Sequence, residues 1–313
     1  MTTAIPLDRF LRYSELTELL STVAAAHPNL MTLESVGRSH EGRDIWLVTL
    51  TDASTGPAAE KPAMWVDANI HATEVTGGVA ALSLIRRLVE GFGGDTVVTR
   101  ALRTRTFYIV PRVNPDGVEA ALADRPKFLR SSTRAWPWTD GWRQPGLHAE
   151  DIDGDGRILT MRLPDPDGQW KVRIDEPRLM VRRGPSDGPE DGPYYRLFDE
   201  GWVEGYDGFT VPTPRPVQGL DLNRNYPAGW GTHVTGSGDH PGSEPEIDAV
   251  IRAVRARPNI CGFDAYHTSG GVVLRPSSTK PDSGLPVVDV WTWTELGKRA
   301  TELTTYPVHS VYE

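Results

Sequence analysis

Cysteine is all but missing: Cys261 stands alone in a chain of 313 residues. That excludes a disulfide within the chain and fits a reducing compartment, although secreted enzymes can also do without disulfides. No run approaches the roughly 20 apolar residues of a membrane span. The first ten residues carry Pro6, Asp8 and Arg9 and lack the apolar centre of a secretory signal. Basic charge is in short supply, with 33 Lys and Arg against 42 Asp and Glu and a net charge of −9. A nucleic acid or an anionic membrane surface is therefore disfavoured as a partner. Internal repeats and low-complexity tracts are absent too. Together these absences lead us to expect a soluble, cytoplasmic protein.

The chain is rich in glycine (31), proline (26) and tryptophan (10). The first two imply long ordered loops, and the tryptophans argue for packing rather than disorder. With 38% hydrophobic and 24% charged residues, 313 residues suffice for one large α/β domain or two small ones.

Ser14 is expected to cap a first helix carrying Leu16, Leu19, Leu20 and Val23, closed by Pro28. Met31, Leu33 and Val36 suggest a strand and residues 44–50 a second, joined by the turn 39–43 as an antiparallel hairpin. A strand over 63–68 leads into a helix over 75–90, a glycine-rich loop over 91–94 and a strand over 105–110. The run Phe107-Tyr108-Ile109-Val110 suits a buried central strand, and Pro111 to Gly117 reads as a compact turn. Regular patterns resume with a helix over 244–257, a strand over 260–267, a short strand over 272–275 and a helix over 288–305. Between residues 131 and 217, Pro, Gly, Asp and Trp dominate and periodicity fades. This stretch reads as an inserted subdomain with short strands near 170–174 and 178–181 and a small core of Trp136, Trp138, Trp142 and Trp170. Alternating strands and helices after a hairpin imply a mixed sheet with helices on both faces, where ligands collect at strand ends.

The stretch Asn69-Ile70-His71-Ala72-Thr73-Glu74, followed by Gly77-Gly78, lies at such a strand end. Imidazole nitrogen and carboxylate oxygen are both zinc ligands, and a catalytic site needs three protein ligands with one position open. A helix N-terminus favours the ionised glutamate that binds metal. His267, placed directly at the end of the strand over 260–267, which reads as buried, is the candidate third ligand by position.

With these pieces in place, the order of motifs resembles the carboxypeptidase A-like zinc metallocarboxypeptidases. The matching segments are Ser35-Val36-Gly37-Arg38-Ser39 through Gly42-Arg43, His71-Ala72-Thr73-Glu74, Val113-Asn114-Pro115-Asp116-Gly117, Asp221-Leu222-Asn223-Arg224-Asn225 and Tyr266-His267-Thr268. The resemblance implies a single α/β domain over residues 1–313, a three-layer fold with a twisted mixed sheet of about eight strands and helices on both faces. It implies one catalytic zinc held by His71, Glu74 and His267, with Asp221 orienting a ligand histidine. Asn223 and Arg224 would grip the substrate's terminal carboxylate. Arg130 matches the arginine that polarises the scissile carbonyl, with Arg134 close enough in sequence to be the alternative. The implied activity is release of C-terminal residues from peptides with a free carboxylate.

Two departures stand out. The family places a general-base glutamate, preceded by a mobile tyrosine, on a strand well after the third ligand, whereas this sequence stops at Glu313. The chain is therefore expected to be incomplete at its C-terminal end, and Glu295 and Glu302 are expected to face solvent. Thr73 stands where many members carry arginine, which removes a charge near the substrate. Competing readings are a zinc-dependent amidase or endopeptidase on cell-wall-type peptides, a deacylase sharing the H-x-x-E zinc motif, and a zinc-binding module without catalysis. The oligomeric state has no signature in the sequence.

Inside the insertion, Asp151-Ile152-Asp153-Gly154-Asp155-Gly156 begins like a calcium loop, with oxygens at alternate positions and glycine sixth. Position twelve is Arg162, where such a loop wants a bidentate glutamate, so Ca²⁺ at Asp151, Asp153 and Asp155 competes with a plain Asp/Gly turn.

Overall fold

Helix α1 (Tyr13–Ala26) leads into the hairpin β1 (Met31–Arg38) and β2 (Asp44–Leu50), then β3 (Ala63–Ala68), α2 (Val75–Gly91), α3 (Thr96–Thr104), β4 (Thr106–Val110) and α4 (Pro115–Ala121). The insertion supplies β5 (Gly146–Ala149), β6 (Thr160–Pro164), β7 (Trp170–Val172), β8 (Met180–Arg182), β9 (Tyr194–Asp199) and β10 (Gly201–Glu204). The remainder contains α5 (Pro245–Arg255), β11 (Ile260–Tyr266), β12 (Val273–Arg275), α6 (Val287–Thr304) and β13 (Val308–Ser310). The structure, a computed structural model, describes residues 4–124, 126–137, 144–214 and 217–312. Trp138 and Trp142 lie outside the described residues.

The central sheet runs β1-β2-β4-β3-β11. The first three strands are antiparallel neighbours, and β3 lies parallel to both β4 and β11. Side chains alternate between its faces, as strand geometry requires. Val48, Leu50, Val66, Ala68 and Ile109 pack with Leu16 and Leu20 of α1 and Ile85 of α2. Ile45, Leu47, Trp65, Tyr108 and Val110 pack on the other face with Ile247 and Val250 of α5. Helices therefore cover both faces, as the alternating pattern implied, which makes this a three-layer α/β fold. Among the described residues the sheet has five strands, fewer than the eight or so implied by the resemblance. Strand β11, expected to be a buried strand, lies at the sheet edge, and Phe263 on it is 53% exposed. On α6, Val287, Val288, Trp291, Leu296 and Leu303 are exposed as well.

Two local expectations need correction, and one helix arises that no expectation covered. Ser14 lies within α1, and Arg12 takes the cap position because Glu15 reaches back to accept the Arg12 backbone N–H at 2.7 Å. The turn at 111–117 becomes helix α4, because Asn114 Oδ1 accepts the Gly117 N–H at 2.9 Å and Pro115 begins the helix where its missing N–H is harmless. Helix α3 had no sequence signal strong enough to announce it: it starts Thr-Val-Val-Thr, β-branched residues of low helix propensity. It is held by Asp95, which accepts from Val97 and Val98, and by burial of Val98 and Leu102.

The inserted residues form a four-stranded sheet, β6-β9-β7-β8, and a two-stranded sheet, β10-β5, with all pairs antiparallel. A bridge between Trp136 and Gln218 ties the two ends of the insertion together. No helix of the described residues is long and apolar enough to cross a membrane.

Two buried carboxyls sit against the face covered by α5. Burial pushes Asp67 up to about 6, although the Trp65 indole N–H opposes it, and pushes Glu246 up to about 7 despite the His40 amide at 2.8 Å. A carboxyl raised in the folded state binds its proton more readily there than in the unfolded chain. Stability is then highest at low pH and falls as pH rises through the window between the unfolded and folded values. For Glu246 that window runs from 4.5 to about 7, corresponding to about 3 kcal/mol. Glu246→Gln should therefore raise the Tm at pH 8 and leave it nearly unchanged at pH 4.5. Equal shifts at the two pH values would contradict the assignment.

Candidate metal centre

The loop from β3 to α2 is shaped by an asparagine and two glycines. Asn69 is fully buried with φ +55°, a left-handed conformation that asparagine tolerates better than most residues. Its Nδ2 donates to the Glu74 carbonyl at 2.5 Å, closing the loop around His71. A Cβ on Gly78 would collide with Asn69 Oδ1, and one on Gly77 would stand 3.1 Å from the Tyr266 carbonyl at the end of β11. Helix α2 can therefore approach both strand ends, with Glu74 at its N-cap position.

His71 Nδ1 lies 2.9 Å from Glu74 Oε1, His267 Nδ1 lies 2.9 Å from Glu74 Oε2, and the two Nδ1 atoms are 3.1 Å apart. His71 and Glu74 are largely buried, while the His267 side chain is 36% exposed. These three side chains form a group whose ligand atoms could hold a metal ion. The fit to zinc is close: bonds of about 2.0–2.1 Å in tetrahedral geometry separate ligand atoms by about 3.3 Å. Two imidazoles and one glutamate also match the donor set of three-ligand catalytic zinc sites. The other ring nitrogen of His71, Nε2, lies 3.2 Å from Asp221 Oδ1. Burial acts to raise the Asp221 carboxyl, but the hydrogen bond with His71 and the charge of Arg130 hold it down at about 2. Asp221 also caps the short 3₁₀ turn Leu222–Arg224 by accepting the Asn223 N–H, so one carboxylate serves both the turn and the histidine.

Three distant segments meet here, and the reasons are local. Ser131 Oγ donates to the Ile70 carbonyl at 3.0 Å and accepts the Leu222 N–H at 3.1 Å. Asn114 Nδ2 donates to the carbonyls of Ile70 and Ser131 at 3.3 and 2.7 Å. A Cβ on Gly117 would stand 2.5 Å from the Ser131 carbonyl and 2.8 Å from Ala72 Cβ, so only glycine lets α4 close on the metal loop. Asp116, nearly fully buried, accepts from Ser39 Oγ and Arg43 Nη1 at 2.7 Å each and from the Glu41 N–H at 2.7 Å. The hairpin turn is thereby fastened to the same assembly. Neither Ser131 nor Asn69 carried a site role in the sequence reading; Asn69 was visible only as the residue that closes the strand before His71.

The two arginine candidates separate cleanly. Arg130 is half exposed, donates from Nε to Asp221 Oδ2 at 3.0 Å, and places Nη1 3.8 Å from Glu74 Oε1. Arg134 is turned away and grips the fully buried Glu244 with Nε and Nη2 at 2.9 and 2.7 Å. Arg224 is exposed, donates to the Asn223 carbonyl at 3.1 Å, and makes no ion pair among the described residues. Asn225 is buried and ties the turn to residues 237–244 through Ser237, His240 and Ser243. Glu295 and Glu302 pair with Lys298 and Arg299 on the exposed surface of α6. In the insertion, Asp151, Asp153 and Asp155 come together, and their carboxylates accept N–H groups of Gly154, Gly156, Asp155 and Arg157 from their own loop.

Comparison with known proteins agrees with this geometry. The family model described as zinc carboxypeptidase matches residues 16–307. A zinc carboxypeptidase of Saccharothrix mutabilis subsp. capreolus is 36% identical over 139 residues, covering 44% of this chain and 29% of that protein. Carboxypeptidase A2 of Rattus norvegicus is 22% identical over 271 residues, covering 86% of this chain and 47% of that protein. The chain thus spans less than half the length of these two relatives. The crystal structure of thrombin activatable fibrinolysis inhibitor shares the fold, with a TM-score of 0.60 at 16% identity over 99% of this chain and 61% of that one.

Removing Arg134 leaves Glu244 buried without its cation, so Arg134→Ala should cost about 3 kcal/mol in chemical denaturation. Arg130→Ala, at an exposed position, should change stability by no more than about 0.5 kcal/mol. Similar losses in both variants would contradict this division of labour.

Proposed function

The chain belongs to the zinc carboxypeptidase family, and from that premise we propose that it binds one zinc ion through His71, Glu74 and His267 and serves to release C-terminal residues from peptides. The observation that carries this reading is the approach of two imidazole nitrogens and both glutamate oxygens to 2.9–3.1 Å of one another. Bound zinc supplies Lewis-acid polarisation of a carbonyl oxygen and acidification of water.

The chain's own residues do the rest. Asp221 accepts the Nε2–H of His71, which leaves the Nδ1 lone pair facing the cluster and fixes the ring's orientation. Arg130, anchored on Asp221 and beside Glu74, aims a positive charge at the place where a substrate carbonyl would gather negative charge. Asn223 and Arg224, on the next turn of chain, take the terminal carboxylate. A guanidinium with no carboxylate partner among the described residues has its two parallel donors to offer the substrate, which favours a free C-terminus over an amide or an internal peptide bond. Residues 131–217 are, in this reading, an insertion into one domain.

Wild-type protein should retain about one zinc per chain after dialysis, measured by metal analysis, and His71→Ala or His267→Ala should lose it. A variant that keeps its zinc would remove that residue from the ligand set. Arg224→Lys should weaken binding of free-carboxylate peptides about tenfold, because the bidentate contact is lost, with zinc content unchanged. Equal wild-type affinity for C-terminally amidated peptides would count against the exopeptidase assignment.

A further inference from the structure

A cavity of about 770 Å³ opens between the insertion and the segments that lead to Arg130 and Asp221, within the size range of ligand pockets. Trp202 of β10 and His148 of β5 line it and stack on each other, with ring centroids 4.7 Å apart and planes 21° apart. Trp202 Nε1 donates to Glu150 Oε2 at 2.9 Å, which fixes the plane of the indole. Ile158 lines the same cavity and is 48% exposed, a large aliphatic side chain without full cover. The charged lining balances, Lys127 and Arg157 against Glu150 and Asp151, so it offers no net charge to select an ionic occupant.

The cavity's position relative to the metal cluster follows from the chain. Lys127 lines it three residues before Arg130, and Gln218 lines it three residues before Asp221. Three residues of chain span at most about 11 Å. Arg224 lies beyond Asp221 on the same segment, and its backbone N–H donates to the Asp221 carbonyl at 2.8 Å, so the proposed carboxylate clamp sits one tight turn from the carboxylate that meets His71. The cavity therefore opens within reach of the upstream residues of a peptide whose C-terminus lies at Arg224 and whose scissile bond lies at the cluster. An extended peptide advances about 3.3 Å per residue, so at most about three residues cover the distance.

We propose that this cavity is a pocket for a bulky apolar side chain of the peptide substrate, at the third residue before the scissile bond, with Trp202 and Ile158 as its contact surfaces. The proposal rests on the carboxypeptidase reading and deepens it: the insertion would supply substrate selection that the metal-site segments do not.

The test uses zinc-loaded protein, isothermal titration calorimetry and two non-hydrolysable pentapeptide analogues with free C-termini, which differ only in Phe or Gly at that third position. Wild-type protein should bind the Phe peptide about tenfold more tightly. Ile158→Trp, which fills the cavity from a half-exposed position, and Trp202→Ala, which removes the platform, should each reduce the preference below about twofold while leaving affinity for the Gly peptide unchanged. Equal wild-type affinities for the two peptides, or a preference that survives in Ile158→Trp, overturns the pocket while leaving the carboxypeptidase reading standing. Binding of neither peptide overturns both.

Discussion

Two imidazole nitrogens and a carboxylate do not gather within about 3 Å of one another without a reason, because their lone pairs repel unless a proton or a cation lies between them. At His71, Glu74 and His267 this crowding is built in by the fold. His71 and Glu74 come from one loop between β3 and α2, and His267 from the end of the neighbouring parallel strand β11. Parallel pairing places both strand ends at the same edge of the sheet, so the ligands converge where side chains from successive loops meet. Much of the nearby sequence then serves to keep that edge in register.

The support is layered. Asn69 accepts a left-handed backbone so that the loop can close, and Gly78 leaves room for it. Ser131 and Asn114 join the metal loop to the Arg130 segment, and Ser131 also reaches the Asp221 turn. Further out, Asp116 binds the hairpin turn through Ser39, Glu41 and Arg43, while Arg134 neutralises the buried Glu244. Several motif residues that read as a family signature are, physically, braces two or three contacts removed from the candidate metal ligands. Hydrogen-bonded side chains of this kind hold a site to the tolerance that metal binding and carbonyl polarisation require.

The sequence disclosed the parts governed by short-range pattern. The central strands showed as apolar runs, the hairpin by its turn residues, and the candidate ligand pair by its place between strand and helix. It did not disclose features set by long-range packing. Glu246 looks like an ordinary helical glutamate, and only the fold buries it against Asp116 and Glu244. Arg130 and Arg134 are four residues apart and chemically alike; which one faces the metal ligands depends on Glu244, 110 residues away from Arg134. The strand pattern at 260–267 was correct, but its composition suggested burial where the structure puts an edge. The cavity beside Trp202 likewise depends on how β5 and β10 fold back toward Lys127, which no periodicity announces.

The proposed activity turns on whether one zinc ion sits among His71, Glu74 and His267. The most direct measurement is zinc K-edge X-ray absorption on protein reconstituted with one equivalent of zinc. The expected first shell comprises two imidazole nitrogens and light oxygen donors at about 2.0–2.2 Å, without sulfur, with one imidazole contribution lost in His267→Ala. A sulfur scatterer, which would implicate Cys261, or a shell unchanged in that variant, would contradict it.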